Sequence, residues 1–460
     1  MTALIEAVES GRTTPAMLVD RAIERADAVN PDLNFIALPT FERARRQAAA
    51  PPLGPLSGTP TLIKDTLPER GLPAPLGSAA LRDYIAPADA PYTRAITDAG
   101  LISIGRSTMP ELGLNVVTES PLTGITRNPW SLAHAPGGSS GGGSAAVAAG
   151  VVPVAHASDG LGSIRHGAAP CGLVGLKPSR GRNAGDESLR AMTDLGVNGC
   201  VSRTVRDTAA WLHATQSRSS EARFAPLPLI MAPADARFRI HAYSAVMRTG
   251  RGPDDDVLRV FDDAIALLHR LGHRVSDGAL PFDGRDTIDA LQDFIEGNFA
   301  RQVEALSGVV GFPIPPERLE HRSATLVAAG RLIDDERFSG ALRRIEAAVT
   351  GYLDRLGEID IWMTPTLSTE IVRVGVLGPD TAWDRQRDHL FDYAGYCWID
   401  NFAGTPSISL PLGFSDGGLP VGVQFATRAG GEDLLLALAY QLEADGQWWR
   451  QHPPIWVGED

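Results

Sequence analysis

Between Pro136 and Arg182 the chain reads PGGSSGGGSAAVAAGVVPVAHASDGLGSIRHGAAPCGLVGLKPSRGR, a stretch dense in glycine and serine. A serine hydroxyl becomes a nucleophile only when a nearby base takes its proton, and glycines let backbone N–H groups close on a ligand. One use of such a stretch is a phosphate cradle. Gly141-Gly142-Gly143-Ser144-Ala145-Ala146 loosely fits a dinucleotide fingerprint, but no apolar strand precedes it and no lysine follows its last glycine. A second use is a nucleophile elbow, since Gly137-Gly138-Ser139-Ser140-Gly141 fits G-x-S-x-G. That motif needs a strand just before the serine, which is missing. It also needs a histidine partner, and none of the ten histidines stands in a context that singles it out. His156 and His166 read as structural or supporting groups.

A third pattern uses two serines and a lysine. Thr61-Leu62-Ile63, following Gly58-Thr59-Pro60, reads as a short buried strand that delivers Lys64-Asp65 to its end. Gly138-Ser139-Ser140-Gly141-Gly142 comes next. Ser163 lies 24 residues after Ser139, inside the Gly-Ser-Ile-Arg run of Asp159 to Arg165, and Gly172 to Pro178 reads GLVGLKP. Shorter matches fall at Gly105 to Glu111, Thr126 to Trp130, Gly404 to Pro411 and Gly418 to Gln424. In this order the motifs resemble the amidase signature family of serine hydrolases over nearly the whole chain. Singly, each motif has a plainer reading: a Gly/Ser turn, a solvated Lys-Asp pair. Asp159 and Arg165 read as structural, holding the turn by side-chain-to-backbone bonds.

The resemblance implies Ser163 as nucleophile, Ser139 as bridging serine and Lys64 as base. It makes the N–H groups of Gly160, Leu161, Gly162 and Ser163 an oxyanion hole. No metal and no cofactor are implied. The chemistry stands on ordinary principles. A free lysine, with a pKa of ~10.4, is protonated at neutral pH and is no base. Burial at a strand end disfavours its charged form and lowers that value. A serine between base and nucleophile both donates and accepts, so it can pass a proton. The same relay returns the proton to the leaving nitrogen.

Two departures from the family pattern stand out. Leu161 occupies a position where the family has glycine, which the oxyanion hole tolerates only if its φ is negative. His166-Gly167 follows Arg165 where x-Pro is common, an exchange expected to loosen the backbone beyond the nucleophile. Within the family, Gly105 to Trp130 and the Val-Ala-His pattern at His156 look most like the 6-aminohexanoate-cyclic-dimer hydrolase branch. That implies a broad amidase for a neutral, fairly apolar small-molecule amide, anilide or carbamate (urethane). The alternatives are an amidotransferase subunit generating ammonia for a partner, and a catalytically silent binding homologue.

These residues need a scaffold. Alternating strands and helices, together with the resemblance, imply one large α/β domain, 1–460, with a central mixed, twisted sheet covered by helices on both faces. Within it, 1–60 reads as an N-terminal helical part, 61–210 as the catalytic core, 287–356 as a helical, variable substrate-side layer, and 357–460 as late core strands and a helix. Thr14-Pro15 starts a helix that Asn30-Pro31 ends. A second helix is expected over Thr40 to Ala50. Pro91 to Ala99 then reads as helix and Leu101 to Arg106 as strand. The long irregular stretch Pro110 to Gly143 is read as an ordered site loop. Ser144 to Gly150 is expected as helix and Val151 to Ala155 as strand. Asp254 to His273 is an amphipathic helix.

Composition limits the rest. With 55 acidic against 42 basic residues the net charge is −13, which repels phosphate backbones and disfavours nucleic acid or a polyanionic substrate. Cys171, Cys200 and Cys397 are scattered, as expected of buried cysteines in a reducing compartment. No secretory signal opens the chain and no stretch is long and apolar enough to span a bilayer. A cytoplasmic monomer or homodimer is expected.

Overall fold

The computed structural model describes residues 1–458. Eight strands form its main sheet, in the order Arg274–Asp277, Arg239–Ala242, Ile361–Pro365, Pro420–Ala426, Ser407–Phe414, Val174–Lys177, Val197–Ser202 and Val154–Asp159. The first three run parallel, joined through helices, and the remaining pairings are antiparallel. The sheet is therefore mixed, as expected, and lies between two apolar layers. Side chains alternate between its faces. Ile361 and Met363 join Val423 and Phe425 against helices Val205–Thr215, Asp255–Arg270 and Glu432–Gly446. Trp362 points the other way, into a core built by Leu291, Phe294, Tyr352 and Phe402.

A separate three-stranded sheet holds Ile102–Ser107 between Ile36–Pro39 and Pro60–Lys64. Its strand Pro60–Lys64 is buried throughout. Thr61 Oγ1 donates to Val154 O at 2.9 Å, which ties this small sheet to the edge strand of the large one.

Several boundaries differ from the sequence reading. A helix Thr2–Glu9 precedes Thr14. Helix Pro15–Leu33 is capped by the Thr14 side chain but carries Pro31 inside its last turn. A proline so near the end forfeits a single bond, and Asn30 Oδ1 instead accepts from Phe35 N and Ile36 N to steer the exit. The helix expected from Ser144 begins at Gly141. It can, because Gly141 and Gly142 sit where a Cβ would stand 2.2 Å from Thr118 Oγ1 and 2.4 Å from Thr108 Oγ1. These glycines serve close packing, not a loop. The strand expected at Val151 starts at Val154 and runs to Asp159. Helices Gly284–Val310, His321–Gly330 and Asp335–Glu358 follow one another between residues 284 and 358. Cys171, Cys200 and Cys397 are buried and free. Among the described residues no helix is long and apolar enough to cross a membrane.

Candidate active site

Three elements converge where the two sheets meet. Strand Pro60–Lys64 ends in Lys64, helix Gly141–Ala148 is led by Ser139 and Ser140, and Val154–Asp159 opens into the turn that carries Ser163. The lysine is 1% exposed. Its Nζ lies 2.8 Å from Ser139 Oγ, 3.0 Å from Ser140 Oγ and 3.0 Å from Ser158 Oγ, with Ser158 O at 3.3 Å. Ser139, which follows a cis Gly138–Ser139 peptide, lies 2.9 Å from Ser163 Oγ. Lys64, Ser139 and Ser163 thus form one hydrogen-bonded row, and Ser163 at its end is partly exposed.

Burial pulls Lys64 down to about 7, only partly opposed by Asp159. Among the described residues no anion contacts the amine. Its neighbours are three hydroxyls and one carbonyl, an environment that suits a neutral amine. His156 supports it from below: Nδ1 accepts the Lys64 N–H at 3.2 Å, while Nε2 pairs with Asn198 Oδ1 at 3.1 Å. Burial holds this imidazole at about 3, hence neutral.

The turn is locked by Asp159. Its carboxylate accepts Gly162 N at 2.6 Å and Ile164 N at 3.2 Å, and forms a two-point pair with Arg165 at 3.0 Å. Arg165 also reaches Asp400, Asn401, Gln424 and the Cys397 carbonyl. Burial alone would raise the Asp159 carboxyl, but Arg165 holds it well below the usual carboxylate range. The structural reading of both residues therefore holds.

For the four amides expected to face the substrate, the geometry makes a distinction. The Gly162 N–H is engaged by Asp159. Those of Gly160, Leu161 and Ser163 have no acceptor among the described residues. Gly162 has φ +131° and lies so near His166 that a Cβ would stand 2.1 Å from its Cε1. Leu161 is not among the residues with positive φ, so the condition set for it is met. The loosening expected at Gly167 does not occur. That glycine is buried within helix Arg165–Ala168, where a Cβ would press Ser144 Oγ at 2.8 Å. Dropping the side chain tightens helix packing.

Above Ser163 opens a cavity of about 590 Å³. Its walls are mostly apolar, among them Val116 from the long loop, Leu161 and Leu195 from the turns, and Trp398. Helix Gly284–Val310 contributes Leu291, Phe294, Ile295, Asn298, Phe299 and Gln302, one face of the helix at intervals of three and four. Sequence reasoning placed this layer on the substrate side without naming these residues; their helical spacing was the available signal. Among the described residues no group of three or more His, Cys, Asp or Glu side chains is placed to hold a metal ion.

Fold and site define an α/β enzyme with an amine and two hydroxyls at the floor of a small-molecule-sized cavity. The family pattern described as Amidase matches residues 17–436, and the chain belongs to that family of amide-hydrolysing enzymes. It is 37% identical to the protein AmiC of Mycobacterium tuberculosis, over 98% of this chain and 95% of that one. It is 31% identical to the 6-aminohexanoate-cyclic-dimer hydrolase of Paenarthrobacter ureafaciens, over 99% and 96%. Among solved structures, 6-aminohexanoate cyclic dimer hydrolase complexed with substrate superposes with a TM-score of 0.91 at 30% identity, over 99% of this chain and 98% of that chain. A bacterial aryl acylamidase of the amidase signature family gives 0.84 at 25%, over 99% and 98%.

Proposed function

We propose that the protein hydrolyses an amide, anilide or carbamate flanked by apolar groups, through an acyl-enzyme on Ser163. The observation that carries this reading is the row Lys64–Ser139–Ser163, a buried amine near neutrality linked through one hydroxyl to another that faces the cavity. Ser158 O accepts one N–H of the neutral amine, leaving its lone pair for the Ser139 hydroxyl. Ser139 passes its proton to Lys64 as it takes that of Ser163, and Ser163 Oγ attacks the substrate carbonyl.

Amides of Gly160, Leu161 and Ser163 receive the oxyanion, with Gly162 fixing the turn instead of donating. One such donor is worth ~2.7–4 kcal/mol in the transition state. The leaving nitrogen collects the proton from Lys64 through Ser139. Water then attacks the acyl carbonyl and gives its proton to Lys64 by the same relay, which returns it to Ser163 Oγ as the ester bond breaks and the acid leaves. The apolar walls and the names of the similar proteins, a cyclic-dimer amidase and an aryl acylamidase, support compact or aromatic amides. A panel of p-nitroanilides, cyclic amides and small urethanes tests the reading: turnover of at least one amide is expected, and no turnover of any would sink it.

A further inference from the structure

Arg322 stands in the first turn of helix His321–Gly330, and its side chain lines the cavity while only 1% exposed. Its Nε–H donates to Gln386 Oε1 at 3.1 Å, and its guanidinium lies 5.3 Å from the ring centroid of Trp383. Nη1 is buried without a hydrogen-bond partner. No carboxylate among the described residues forms an ion pair with it.

Two acids lie near without touching it. Glu111 accepts from Ser78 Oγ and from the Glu320 main chain. Glu320 is pushed up to about 8 by burial and by Glu111, which leaves its carboxyl neutral at pH 7. The cavity's other charged linings are accounted for: Asp159 is bound to Arg165, and Lys64 works as a neutral amine. Burial draws Arg322 down to about 10, still cationic at neutral pH. Glu320 and Glu111 favour its charge from a distance, but among the described residues no carboxylate meets the guanidinium directly.

A buried guanidinium with free N–H groups is costly unless an acceptor arrives, and its planar fork suits a carboxylate. Resting on the amidase reading above, we infer that Arg322 is a specificity residue that holds a carboxylate of the substrate away from the scissile bond. The substrate class is then an amide with an apolar spacer ending in a carboxylate, not a wholly neutral amide. Phe294, Leu326, Trp383 and Phe391 supply walls for the spacer.

The test compares p-nitroanilides of aliphatic dicarboxylic acids with isosteres ending in carboxamide or methyl, reading p-nitroaniline release. Wild-type kcat/KM is expected to favour the carboxylate by about tenfold or more, chiefly through KM. Arg322→Gln should lose that preference, the ratio of kcat/KM between the carboxylate and the methyl-terminated anilide falling toward parity, and Arg322→Lys should retain part of it. Equal wild-type rates on acid and carboxamide, or a preference that survives in Arg322→Gln, would overturn the inference. If wild type releases nothing from any anilide, the amidase reading fails first. Calorimetric binding of an aliphatic dicarboxylate monoamide then decides for Arg322: binding lost in the folded Arg322→Gln protein supports it, and unchanged binding overturns it. Should Arg322→Gln fail to fold, the same comparison is made with Arg322→Lys, where an undiminished carboxylate preference together with unchanged KM overturns the assignment.

Discussion

The imidazole of His156 accepts the main-chain N–H of Lys64 at 3.2 Å, so a buried histidine joins strand Ile102–Ser107 in pinning the end of the strand that carries the lysine. His156→Leu leaves that N–H and Asn198 Oδ1 unmatched in a buried site. A loss of about 1–3 kcal/mol in stability is expected from urea denaturation. The ascending limb of the pH–rate profile should stay where it is, because His156 is neutral throughout the working range.

That limb is set by Lys64. Burial lowers the amine to about 7, and in the proposed mechanism its neutral form is the base. Activity should rise with pH through about 7 as one proton leaves, then level off. The measurement is kcat/KM against pH on a neutral anilide. A limb near the free-lysine value of ~10.4 would mean that the amine is not desolvated in the working enzyme.

Gly162→Ala brings a methyl group to a backbone with φ +131° and into the His166 ring. The turn must shift, and with it the amides of Leu161 and Ser163. The expected result is a fall in kcat of about 10²–10³, the scale of one lost oxyanion donor, with a smaller change in KM.

Asp159→Asn removes one side of a fully buried ion pair whose other side, Arg165, keeps its charge. The cost should be about 3–5 kcal/mol in denaturant titrations. The pH dependence has a definite sign. Arg165 depresses the Asp159 carboxyl, so on acidification the unfolded chain takes up that proton first. The pair's stabilisation is full above about pH 4 and is lost as pH falls below it.

Much of the site was legible because its residues lie in contiguous motifs. Lys64 ends an apolar run, Ser139 and Ser163 sit in Gly-rich runs, and Asp159 and Arg165 bracket the turn. What escaped depends on contacts distant in sequence. The engagement of Gly162 by Asp159 is a matter of carboxylate direction, which no spacing conveys. The role of Gly167 follows from Ser144 of another helix. Arg322 gave no signal at all, since a lone arginine among charged residues usually lies at the surface. The helix running past Pro31 was missed because the exit is secured by the Asn30 side chain.

In the proposed mechanism Ser163 is the nucleophile, activated through Ser139 by Lys64. The most direct test of this mechanism is covalent labelling with a fluorophosphonate, followed by mass mapping of the modified peptide. A single adduct on Ser163 is expected, absent in Ser163→Ala and slowed about 10³-fold or more in Lys64→Ala, with amide hydrolysis lost in both variants. A label on another residue, or amide hydrolysis at the wild-type rate in Ser163→Ala, would contradict it.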